Sequence, residues 1–160
     1  MNALVIYDST FGNTQQIAQA IARVLREHGI VRLHPVQAVG TSGLKGIDLL
    51  VLGCPTQNYG LTPAVRVFLA NIPDDTLHGL MAAAFDTRYR MAESSSGSAA
   101  WAIADLLQEA GASLIMSPES FFVAAEEGPL ENGELERAAH WAHALFERFA
   151  AGIYPGDQVS

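Results

Sequence analysis

The chain has 160 residues, 49% of them hydrophobic, a formal net charge of −8 and a single cysteine. That length suits one domain with one substantial core, and apolar residues along the whole chain exclude a disordered protein. The negative charge argues against nucleic acid or anionic membranes as partners. The lone Cys54 excludes an internal disulfide, and with neither a membrane-length apolar run nor a leader pattern the expected setting is cytoplasmic.

Strand-like and helix-like segments alternate in order. Continuous apolar runs predict strands over Ala3–Tyr7, Val31–Val36, Asp48–Cys54, Leu80–Phe85 and Ser113–Met116, with Phe121–Val123 continuing the last. Helical spacing predicts helices over Thr14–His28, Thr62–Asn71, Ser98–Ala110 and Gly133–Phe149. Gly29 and Gly111 stand where C-terminal glycines belong, and Pro63 follows Thr62 as a first-turn proline follows its cap. On the last helix, Leu135, Ala138, Ala142, Leu145 and Phe149 form the expected buried stripe. Gln37–Ile47 is too short and glycine-rich for a firm helix assignment. The order predicts a doubly wound, five-stranded parallel sheet in one domain over residues 1–150, followed by a flexible tail over 151–160. Ligands of such sheets bind at the carboxyl ends of the strands, so the loops there are the places to look.

The first loop reads Tyr7-Asp8-Ser9-Thr10-Phe11-Gly12-Asn13-Thr14 and leads straight into a helix. Unpaired N–H groups at a helix start and the helix dipole both favour an anion there. Ser9, Thr10, Asn13 and Thr14 add neutral donors, and Gly12 lets the backbone curl close to a ligand. The loop carries no Lys or Arg, which separates it from a Walker loop, and its glycine spacing is not that of a dinucleotide fingerprint. The loop after the third strand reads Gly53-Cys54-Pro55-Thr56-Gln57-Asn58-Tyr59-Gly60. Tyr59 offers a flat ring for stacking, Thr56 and Asn58 offer polar contacts, and Gly60 offers a backbone free to adopt unusual dihedrals.

Together, Tyr7-Asp8-Ser9, Gly12-Asn13-Thr14, Gly53, Pro55-Thr56, Asn58, Gly60 and Pro63 resemble the flavodoxin-like family. The second loop is most similar to the flavodoxin domain of flavodiiron proteins, and it also resembles flavodoxin-like quinone reductases. The resemblance implies strand order 2-1-3-4-5, non-covalently bound flavin mononucleotide (FMN) and electron transfer with redox proteins. Ser9, Thr10, Phe11, Gly12, Asn13 and Thr14 would then hold the phosphate. Pro55, Thr56, Gln57, Asn58, Tyr59 and Gly60 would meet the ring, with Tyr59 stacked on it. Flavodoxins usually carry Thr at the position of Phe11, so one hydroxyl contact is missing while the N–H remains.

The third loop, Phe85-Asp86-Thr87-Arg88-Tyr89-Arg90-Met91, departs from both the carrier flavodoxins and the flavodiiron branch. Phe85, Asp86, Thr87, Arg88 and Tyr89 complete the expected cofactor set. Asp86 and Thr87 address the ring's polar edge and Tyr89 covers its other face. A guanidinium of Arg88 beside that edge would favour two-electron chemistry, the alternative being a solvated side chain or a salt bridge to Asp86. An NAD(P)H-dependent quinone or small-molecule reductase is therefore the alternative to an electron carrier. A phosphorylation-controlled receiver is excluded, because its aspartate would stand where this chain has Cys54.

Other features carry less. Cys54 has no basic neighbour to activate it and reads as a core residue. Ser94-Ser95-Ser96-Gly97-Ser98 reads as a loop ending in a helix cap. His140 and His143 are spaced to share a helix face, but no Asp, Glu or Cys constellation recruits them to a metal, and they read as exposed histidines. Glu126, Glu127, Glu131, Glu134 and Glu136 crowd the start of the last helix, where its dipole favours acids.

Overall fold

The computed structural model describes residues 1–152. Its parallel sheet contains β1 (Asn2–Tyr7), β2 (Ile30–Pro35), β3 (Leu49–Pro55), β4 (Met81–Tyr89), β5 (Ser113–Leu114) and β6 (Glu119–Val123). The order is β2-β1-β3-β4-β5, and β6 also pairs with β4. The fifth position of the expected sheet is thus filled by two segments in succession. Met81 and Ala82 pair with β5, and Phe85 to Tyr89 pair with β6. Phe121–Val123 does continue the last strand, and Pro118 lies in the gap between the two pieces.

Helices α1 (Asn13–Leu25), α2 (Pro63–Ala70), α3 (Glu93–Ser96), α4 (Ala99–Glu109) and α5 (Glu134–Ala151) flank the sheet. Period-two alternation divides each central strand between two cores. Ala3 and Val5 of β1 join Leu49 and Val51 of β3 under α1 and α5. Leu4, Ile6, Leu50 and Leu52 face α2 and α4. Strands buried on both faces read as unbroken apolar runs, which is why they stand out in the sequence.

The structure corrects two local expectations and fills in a segment left without a firm assignment. Leu135 is 44% exposed, while Trp141 fills the core and meets Phe85 and Phe121 edge-on. The serine cluster begins with a single helical turn, α3, before Ser98 caps α4. Gln37–Ile47 holds two short 3₁₀ turns, Val36–Ala38 and Thr41–Leu44, which bring Val36 and Leu44 into the core. The expected C-terminal tail falls outside the described residues apart from Ala151 and Gly152, where α5 ends. No described helix is long and apolar enough to cross a membrane.

Candidate functional site

A cleft of about 500 Å³ opens over the carboxyl ends of the strands. Its first wall is the loop between β1 and α1. Ser9 Oγ accepts the Gly12 N–H at 3.0 Å and, more weakly, the Gln15 N–H at 3.4 Å. That pins a tight turn in which Gly12 takes φ 90°, a left-handed geometry suited to glycine. Among the described residues, the N–H groups of Thr10, Phe11, Asn13 and Thr14 have no hydrogen-bond partner. Four free donors at one helix start make an anion site by backbone geometry. The Thr14 hydroxyl shares a 2.8 Å hydrogen bond with that of Thr87, joining the first loop to the third. Asn13 Nδ2 donates to the carbonyl of Glu127.

The second wall is the loop after β3. Thr56 N donates to the Thr87 carbonyl, and Gln57 and Gly60 exchange two backbone hydrogen bonds at 2.9 Å. The residues between them, Asn58 and Tyr59, have φ of 48° and 66°. Positive φ at both central positions defines a type I′ turn, usually filled by Asn-Gly. The unusual backbone therefore sits at Asn58 and Tyr59, not at Gly60 as expected. Thr62, the N-cap of α2, accepts the Val65 N–H and donates to Asp8 at 2.6 Å, which fixes the far end of this loop to β1.

The third loop divides sharply. Thr87 and Tyr89 line the cleft, as do Ser9, Thr10, Phe11, Asn13, Thr14, Pro55, Thr56, Gln57 and Asn58. Phe85 does not: its ring packs over Gly53 in the core. Asp86 is fully buried and caps α4, accepting from Ser98 Oγ at 2.7 Å, Ala100 N at 3.0 Å and Thr56 Oγ1 at 3.1 Å. Burial pushes its carboxyl above the usual range, against these hydrogen bonds and the nearby charge of Arg88. Asp86 acts on the cleft by holding Thr56.

The guanidinium of Arg88, expected at the cleft edge, is turned beneath the loop. It donates to Ser120 Oγ, Ser96 Oγ and the Met91 carbonyl, lies 3.9 Å from Asp86 and stacks over Phe122. Arg90 pairs with Glu131 at 2.8 Å. The Tyr59 ring is 71% exposed and outside the lining, and the backbone of Tyr59 bridges to Gly97. Burial drives the Cys54 thiol up to about 12, which leaves it inert near neutrality.

Two lining residues, Val123 and Glu126, were not anticipated. Val123 ends β6 and Glu126 follows it, at another strand end on the same rim, so the strand-end rule extended to a fourth loop would have found them. Glu126 is exposed, and no Lys or Arg lines the cleft.

The family model described as Flavodoxin matches residues 5–141. The chain belongs to the flavodoxin family. A flavodoxin from a Picosynechococcus strain is 38% identical over 56 residues, covering 35% of this chain and 33% of that relative. The match thus spans about a third of that curated relative's length. Among solved structures, a flavodoxin from the domain Archaea superposes with TM-score 0.78 at 23% identity, covering 94% of this chain and 99% of the other. Rubredoxin oxygen:oxidoreductase from Desulfovibrio gigas gives 0.74 at 21%, with 94% of this chain on 36% of that one. The last two likenesses are those of fold. Flavodoxin-family proteins bind FMN, and the residues present fit that group. The first loop offers free N–H donors for a phosphate, and the cleft beyond it is flanked by Pro55–Asn58 and Tyr89.

Proposed function

We propose that this chain holds FMN in the strand-end cleft and passes electrons between redox proteins. The observation that carries the proposal is the set of four unpaired N–H groups at Thr10, Phe11, Asn13 and Thr14. With Ser9 bracing the turn, they would hold the phosphate without a cation. Pro55, Thr56, Gln57 and Asn58 would flank the ring on one side. Thr87 and Tyr89 would do so on the other, Tyr89 being the lining aromatic outside the phosphate loop. Gly12, Gly60, Phe85, Asp86 and Arg88 contribute through the backbone or by bracing the loops. Bound there, the flavin supplies the one- or two-electron chemistry, and the protein supplies position and electrostatics.

The partners proposed are proteins with basic docking surfaces, met in the cytoplasm. The net charge of −8 supports that, as do the exposed Glu126 on the cleft lining and its neighbour Glu127. Exposed rings of Phe11, Tyr59 and Tyr89 would add apolar contact. The NAD(P)H-dependent reductase loses its support from Arg88, whose guanidinium is engaged elsewhere.

Titration with FMN and with riboflavin tests the proposal. Riboflavin lacks the phosphate and should bind far more weakly, and equal affinities would overturn the assignment of the first loop. Rapid bleaching of the bound flavin by NADH or NADPH alone would overturn the carrier role in favour of the reductase.

A further inference from the structure

The packing of α1 against α5 brings together three metal-ligating side chains that lie far apart in the chain. Glu27 and His28 occupy the turn that follows α1, and His143 stands midway along α5. One ligand atom from each lies within 4.8 Å of the other two. Among the described residues, none of the three side chains makes a hydrogen bond or an ion pair, so their ligand atoms are unengaged. The His28 ring stacks on Phe146 with centroids 3.7 Å apart and planes 6° from parallel. That stacking holds one imidazole in place one helical turn from His143, on the same face of α5.

We propose that Glu27, His28 and His143 form a binding site for a divalent first-row metal, Zn²⁺ in particular. Two imidazoles and one carboxylate are the ligands Zn²⁺ takes in open sites, with water in the remaining position. Bond lengths of about 2.0–2.2 Å require the ligand atoms to draw closer by roughly 1–2 Å. The exposed Glu27 and His143 side chains can make that movement by rotating about their χ angles, while His28 stays anchored on Phe146. Soft-thiolate metals find no sulfur here, and hard Mg²⁺ or Ca²⁺ would want more oxygen ligands than one carboxylate provides. A bound ion would tie the end of α1 to α5. Helix α1 rises about 20 Å over its length, so the site stands at the opposite end of that helix from the cleft loop.

The test is titration of the full, tag-free chain with ZnCl₂, by calorimetry and by thermal unfolding. We expect one saturable site per chain, a rise in Tm with Zn²⁺, and no equivalent response to Mg²⁺. His143→Ala and Glu27→Gln should each weaken binding at least about tenfold. His140→Ala, an exposed histidine on the same helix outside the cluster, should leave it unchanged. Neither variant at Glu27 or His143 removes a core contact, so both should fold. Absence of saturable binding by millimolar Zn²⁺, or equal affinity in His143→Ala and the unmodified protein, would overturn the site. FMN affinity should be the same with and without Zn²⁺, so this result stands or falls apart from the cleft.

Discussion

Replacing Gly97 with alanine strikes the joint between the second loop and the start of α4. Gly97 has φ 70° and ψ −178°, a region essentially reserved for glycine, where another residue costs about 1–3 kcal/mol. A Cβ there would also fall on the backbone of Tyr59. Backbone atoms cannot rotate aside, so the Gln57–Gly60 turn would have to move as a unit. Gly79→Ala provides the control: its φ is 77°, and an added Cβ would meet nothing within 4 Å. Placed before β4 at the other end of the sheet, it suffers strain without collision, about 1–2 kcal/mol. Urea unfolding should show both variants destabilised, Gly97→Ala more than Gly79→Ala. FMN titration should separate them further. Gly97→Ala should lose at least about tenfold in affinity, or about 1.4 kcal/mol, while Gly79→Ala binds as the unmodified protein does. Full FMN affinity in a folded Gly97→Ala protein would refute the claim that this contact positions the second loop.

Tyr89→Ala should weaken FMN binding by about 1–3 kcal/mol, the range of aromatic–base stacking, and Tyr59→Ala by less; the reverse order in titration would return the stacking role to Tyr59. Glu126→Gln should strengthen FMN binding severalfold at low salt, with the gain fading as ionic strength rises, because it removes a negative charge from a cleft without cations. Burial alone would raise the Glu134 carboxyl, but hydrogen bonds from Arg137 and Phe122 N and the charge of Arg137 hold it below its ordinary value. Its stabilising contribution is therefore present above about pH 4.5 and lost as pH falls through the lowered value. Glu134→Gln should cost on the order of 2 kcal/mol near neutrality and progressively less in acid, as read by urea unfolding across pH. Asp86 has the opposite sign. Its raised folded value means that the native state holds the proton more tightly, so its contribution falls as pH rises through and above the usual Asp range, and Asp86→Asn should flatten that fall.

The sheet and its two helical layers were legible because fully buried strands and amphipathic helices leave opposite periodic marks. The first loop was legible too, since a hydroxyl-rich strand-to-helix turn has few physical uses. Arg88 was legible only in part: a pairing with Asp86 could be read, but Ser96 is a near neighbour and Ser120 a distant one, and only the folded chain brings both to the guanidinium. Leu135 and Trp141 misled for a related reason. Leu135 fits the helical stripe, yet it is Trp141, left out of that stripe, that fills the space beside Phe85 and Phe121. At the second loop, glycine drew attention to Gly60, while the hydrogen bonds between Gln57 and Gly60 force the left-handed conformation onto Asn58 and Tyr59. Glu126 was read only as one of the acids near the last helix, because the rim was searched at three strand ends and it lies at a fourth.

The division of the last strand into β5 and β6 bears on how the molecule behaves in company. An unpaired strand edge is a template on which another chain can add, and long flat edges are the dangerous ones. Here that border of the sheet offers two residues, then a break containing Pro118, then five more. The opposite border, β2, ends at Pro35 and presents Arg32 and His34 to solvent. On the first side the break stops a continuous run, and Phe122 already spends its N–H on Glu134 and its carbonyl on Glu131; on the second, β2 is one short strand of six residues. The protein can therefore be concentrated with its strands protected from edge-to-edge growth, by interruption on one side and by charge and proline on the other.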